Sequence, residues 1–242
     1  VGYKALSTED TQGLNTAIGA YSLELLNAAG NGYNTAVGYN SGYAMSTGTG
    51  NTIVGAMAGD AVMTGIENTF AGYYSGSSNT SGERSVAVGG YALSSNTIGA
   101  RNIAVGHGAL QSNVDGSYSV AIGYSALNAQ DPAAPLNMYN VAIGHNAGAA
   151  VTTGIRNTIV GGLAGDALTT GARNTVLGYG ALSTEDSGGY NTAIGDSALT
   201  TLDVGADGFN TAVGQSAGYA MTTGTYNTLV GGLAGDALTT GA

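Results

Sequence analysis

Along this chain the apolar and polar residues do not follow the period of a helix. They follow a five-residue word, a polar residue, a Thr or aliphatic residue, two apolar residues and a glycine, that returns about every 17 residues. Asn34-Thr35-Ala36-Val37-Gly38 is typical, and the word starts at Asn15, Asn34, Asn51, Asn68, Ser85, Asn102, Ser119, Asn140, Asn157, Asn174, Asn191, Asn210 and Asn227. Nine of the twelve intervals are 17 residues, two are 19 and one is 21. A brief β-branched run closed by Gly predicts a short strand and a turn. A fixed period of this length predicts coils that stack on one another, because one repeat alone cannot bury its apolar side. The expected fold is all-β: a parallel β-solenoid, or β-roll, of about 13 coils.

Counting the Asn as position one, each column carries its own requirement. Position five is Gly in all thirteen copies, which implies a positive φ or a close backbone approach. Position one is Asn in eleven copies and Ser in two. Stacked Asn amides can form a ladder, and Asn also tolerates left-handed backbone. Position eight is always Ala or Ser, as a tight corner requires. Positions two and four lie on one side of the strand and position three on the other. The always-apolar position four, with Thr or aliphatic residues at position two, reads as the interior. Position three then points outward, yet it too is apolar in every copy. A strand apolar on both faces is covered on both faces. Ile53, Phe70, Ile159, Val176 and Leu229 are therefore the expected contact residues of an oligomer.

The residue before the Asn is also patterned. It is Arg at Arg84, Arg101, Arg156 and Arg173, and aromatic at Tyr33, Tyr118, Tyr139, Tyr190, Phe209 and Tyr226. Four of the five basic residues sit there. This column reads as a surface ladder in which Arg101 meets Tyr118 and Arg173 meets Tyr190 as cation–π neighbours. A glycan-contacting stripe is the sharper alternative. The longer coils place extra residues at Glu24 to Tyr33, Asn128 to Tyr139 and Thr200 to Phe209, where loops are expected.

Composition narrows the function. The net charge is −10, with only five Lys and Arg, which disfavours phosphate neutralisation and hence nucleic acid. Gly, Asn and Thr break every apolar run before membrane-spanning length, so this segment is not expected to insert in a membrane. With no Cys, there is no disulfide and no thiolate metal site. Gly214-Gln215-Ser216-Ala217-Gly218 matches a hydrolase pattern, but it falls on ordinary repeat positions. His107 and His145 share position six on non-adjacent coils and are not placed to share a metal. Asp60, Asp166 and Asp236 are likewise separated. Neither a catalytic site nor a cofactor or metal is expected. The array fills residues 1–242 as one domain without polar caps, and it reads as an excerpt of a longer fibre.

Ser119-Val120-Ala121-Ile122-Gly123-Tyr124-Ser125-Ala126 and Ser85 to Ala92 resemble the head repeats of YadA-type trimeric autotransporter adhesins. The likeness runs through almost the whole chain, although the 17-residue coil is longer than that family's. It implies a left-handed roll, a homotrimer, and an extracellular shaft that adheres to a host glycan or matrix protein. The Asn-Thr-Ala-Ile-Gly form is similar as well to repetitive phage tail-fibre segments. These put the chain on a cell surface or a virion fibre. An ice-binding β-solenoid is the reading from another class, with short Thr columns such as Thr47 and Thr64.

Overall fold

The computed structural model describes residues 1–9, 13–27 and 30–241. The chain is all-β, with one three-residue strand per coil, and its contacts divide it into two compact units. The first comprises residues 1–118 and 132–136, the second residues 119–131 and 137–242. Strands Thr16–Ile18, Thr35–Val37, Thr52–Val54, Thr69–Ala71, Val86–Val88 and Ile103–Val105 form the parallel stack of the first unit. Val120–Ile122, Val141–Ile143, Thr158–Val160, Thr175–Leu177, Thr192–Ile194, Thr211–Val213 and Thr228–Val230 form that of the second. Each unit is a β-solenoid with the expected repeat. Register is kept column by column: Thr35 opposes Thr52, Ala36 opposes Ile53, and Val37 opposes Val54. The 19- and 21-residue coils hold the same register, Thr16 to Thr35 and Val120 to Val141, so their extra residues leave the strand column untouched.

The two faces of the strand are exchanged relative to the expectation. Position three is the interior. Ile53, Phe70, Ile159 and Val176 have no exposed surface in the single chain, and Leu229, in the last coil, is half-buried. Ile53, Phe70, Ile159 and Val176 have no surface to offer another chain, and the expected role of this column as an oligomer interface is corrected to core. Positions two and four face outward. Ile18, Val54, Val88, Ile122, Ile143 and Leu177 are all exposed. One signal distinguished the faces. Position two is Thr in nine coils, whereas position three is never polar.

Positions nine and twelve complete the interior, and their sizes compensate position three. Ala87 and Ala104 are matched by Leu93 and Leu110, while the larger Ile53 and Phe70 are matched by Gly59 and Gly76. A Cβ at Gly76 would lie 2.7 Å from the Phe70 ring, closer than packed atoms approach. Each buried Leu, Ile or Phe contributes roughly 1.5–3 kcal/mol, and the columns spread that burial along the stack.

Two backbone devices turn the chain. The invariant Gly at position five has φ between +126° and +147° where its coil is followed by another, and a Cβ there would meet the next coil's Gly backbone, at 2.3 Å for Gly161 against Gly178. The residue before position one is left-handed in every coil, from Leu14 (φ 66°) to Tyr226 (φ 58°). The left-handed residue is thus the one before the Asn, not the Asn itself. The buried Asn instead staples neighbouring backbone. Asn157 Oδ1 accepts the Asn174 N–H at 2.9 Å, and its Nδ2 donates to Gly171 O at 2.8 Å. Asn34, Asn51, Asn68, Asn174 and Asn210 repeat the pattern.

Candidate binding surfaces

Three surfaces of the coil carry recognisable chemistry. The first is the outer face of the strands. Its columns are Thr or β-branched aliphatics at position two and Ile, Val, Leu or Ala at position four, with no charged residue at either position in any coil. In a chain of net charge −10 this is a strip of neutral, mostly apolar surface. Rows repeat at the strand spacing of about 4.8 Å, and the β-branched side chains among them are stiff at χ1.

The second is the column before the Asn. Arg84, Arg101, Tyr118, Tyr139, Arg156, Arg173, Tyr190, Phe209 and Tyr226 are all exposed. In the first unit the Arg101 guanidinium lies 5.4 Å from the Tyr118 ring centroid and donates to its hydroxyl at 3.0 Å. Glu83 accepts from both Arg84 and Arg101 at 2.8 Å, and Glu67 accepts from Arg84 at 2.7 Å. In the second unit Arg173 lies over Tyr190 at 5.1 Å, and Tyr190, Phe209 and Tyr226 stack at 4.8 and 5.1 Å. Left-handed backbone at a bulky residue costs on the order of 1–3 kcal/mol, and these stacks offset part of it. Arg84, Arg101 and Arg173 are committed to Glu and Tyr partners, so the column has a structural use of its own.

The third was not singled out from sequence. Positions six and seven, just past the Gly corner, carry Tyr3, Tyr21, Tyr39, Tyr73, Tyr74, Tyr91, Tyr124 and Tyr179, with His107 and His145 among them. Tyr3 meets Tyr21 edge-on at 5.4 Å, and Tyr21 meets Tyr39 at 5.9 Å. Tyr74 stacks on Tyr91 at 5.6 Å, and His145 on Tyr124 at 5.3 Å. The aromatics alternate between the two positions, so neither column alone reads as aromatic. Reading the pair of columns together was the signal available.

At the start of the first unit this corner deepens into a cleft of about 230 Å³ lined by Lys4, Tyr21, Glu24, Tyr39, Asn40 and Tyr43. Lys4 Nζ donates to Glu24 Oε1 at 2.9 Å, and that bond raises the Lys4 pKa above its usual value. The long loop beside it includes Ala28 and Ala29, which lie outside the described residues.

Among the described residues one cluster has the donor types of a metal site: Glu185, Asp186 and Asp203. Glu185 is buried, and both its oxygens are taken, Oε1 by the Gly188 N–H at 2.7 Å and Oε2 by the Val204 N–H at 3.0 Å. Burial raises its pKa, as it does those of Asp60 and Asp166. The carboxylate caps a loop. No helix among the described residues is long and apolar enough to cross a membrane. Compared with known proteins, the chain matches no family model, no curated protein and no solved structure.

Proposed function

We propose that this chain is a structural, adhesive fibre shaft, a left-handed roll that associates with copies of itself as a homotrimer through the outer face of its strands. The carrying observation is the outward-facing position-four column, apolar in all thirteen coils and exposed in seven of them. Contiguous exposed apolar surface marks an association site. A second copy is the occupant that fits best. It presents the same rows at the same spacing, so side chains of one copy can interlock with those of another along the whole strip. Uncharged columns on an acidic chain also let copies meet there without facing like charges across the contact. The exchange of faces moves this role from position three to positions two and four. Such a shaft belongs outside the cell, on a bacterial surface or as a phage tail-fibre segment, where it presents its remaining sides to a host glycan or matrix partner.

Lysine at two outward positions, Val88→Lys with Val160→Lys, tests the reading by sedimentation velocity. Each chain should keep its fold, since a surface change costs within about 0.5 kcal/mol, while the assembly dissociates. An assembly indifferent to both lysines would remove the proposal.

One observation favours a second reading. With the faces exchanged, a Thr-x-Val or Thr-x-Ile motif faces outward on successive coils, exposed at Thr52 and half-buried at Thr35, Thr192 and Thr211. A flat array of hydroxyls and methyls is the surface an ice-binding solenoid needs. Thermal hysteresis in a monomeric sample would decide for it, and its absence would remove it.

A further inference from the structure

We infer that the cleft formed by Lys4, Tyr21, Glu24, Tyr39, Asn40 and Tyr43 binds a single neutral pyranose ring. The inference is independent of how the strand face is covered. Three tyrosines shape the cleft. Tyr39 and Tyr43 stand nearly perpendicular to Tyr21, at centroid distances of 5.9 and 6.5 Å and angles of 87° and 76°. Tyr39 is 48% exposed, so its ring offers free area to a ligand. Aromatic faces carry negative quadrupole charge and attract the positive edge of C–H bonds. A ligand with an apolar C–H face is therefore favoured.

The polar groups narrow the choice. The Glu24 side chain is only 9% exposed, yet among the described residues only Lys4 donates to it, and only to Oε1. The other carboxylate oxygen, Oε2, is an acceptor that can take a hydroxyl. Lys4 already neutralises Glu24, so a cation would have to compete with it, and an anion would meet the acidic chain. Asn40 adds an amide that can both donate and accept. The cleft, about 230 Å³, is smaller than the roughly 300–1,000 Å³ of sites for larger ligands. It suits one ring.

The repeat supplies an internal comparison. The other 19-residue coil begins at Asn191. There the equivalent residues are Gly180, Ser197, Thr200, Gln215, Ser216 and Tyr219. Thr200 in place of Glu24 bonds Gly180 O at 3.1 Å, and a single Tyr remains. The coil length is shared, but the aromatic walls and the carboxylate are not, so the chemistry is particular to the first unit.

Saturation-transfer NMR on the full chain is the test, with methyl β-D-glucopyranoside, methyl β-D-galactopyranoside and N-acetylglucosamine at about 5 mM, a range suited to weak single-ring affinity. At least one sugar should receive saturation from tyrosine protons. Tyr39→Ala, at an exposed site, should lower that signal by about tenfold with an unchanged circular dichroism spectrum. Asn40→Gly keeps the left-handed backbone (φ 54°) and serves as the second variant, with the same direction expected. The linear polyol sorbitol should give no signal. Silence from all three sugars, a signal untouched by both variants, or equal binding of sorbitol would each overturn the assignment.

Discussion

Phe70 offers a direct test of the interior. Its ring has no exposed surface and occupies room that Gly59 and Gly76 leave open. Phe70→Ala should destabilise the chain by about 3–5 kcal/mol, the transfer of the ring plus the cavity it leaves. The next coil shows how to refill that space. There Ala87, Leu93 and Asn96 take the places of Phe70, Gly76 and Asn79. Leu93 holds φ 51° and Gly76 φ 57°, so leucine fits the backbone at residue 76. Gly76→Leu alone forces a side chain onto the ring and should cost about 1–3 kcal/mol. The double variant recreates the neighbouring coil and should lie within about 1.5 kcal/mol of the parent. The coupling between the sites is then at least about 2.5 kcal/mol. Guanidinium unfolding followed by far-ultraviolet circular dichroism measures all four corners of the cycle. A repeat array melts by neighbouring units, so amide exchange at Val54 to Val88 is read in parallel. A Phe70→Ala cost below about 1 kcal/mol, or a double variant no better than the single one, would refute the interior packing.

Gly161→Ala places a Cβ 2.3 Å from Gly178 O at φ +136°, and a loss of more than about 3 kcal/mol is expected in the same unfolding assay. Asn157→Ala orphans the Asn174 N–H and the Gly171 carbonyl, and a cost of about 2–4 kcal/mol should appear as faster amide exchange in the adjoining coils. Stability should fall as pH rises from acid to neutral. Asp60, Asp166 and Glu185 hold their protons more tightly when folded, because burial raises them above ordinary values of 3.8 and 4.5. Their stabilising contribution is complete below those values and is lost as pH climbs through the folded ones. The melting temperature at constant ionic strength reads this, and Glu185→Gln should flatten the profile.

Much of the fold was legible because a solenoid writes its geometry once per coil. The Gly at position five announced a backbone constraint, and its contact with the next coil's Gly is that constraint. The small residue at position eight announced a tight corner, and Ala58, Ala92 and Ala164 are buried. The facing of the strand was not legible from apolarity, since Ala36 and Val37 are both apolar and only three residues form the strand. Size compensation between positions three and nine, as in Phe70 with Gly76, identifies the interior, and it shows only when distant columns are compared. The Tyr21–Tyr39–Tyr43 cleft was hidden for a related reason. Its residues come from positions six, seven and ten of three successive coils, and only the stacked structure brings them together.

The central claim is that the neutral outer face of the strands is covered by further copies of the chain. Light scattering of the unmodified chain over a range of concentrations tests it most directly. The account predicts a stable mass of about three times the 23.6 kDa of one chain. A mass of 23.6 kDa that persists at high concentration would contradict it and leave the Thr-bearing face open to another use.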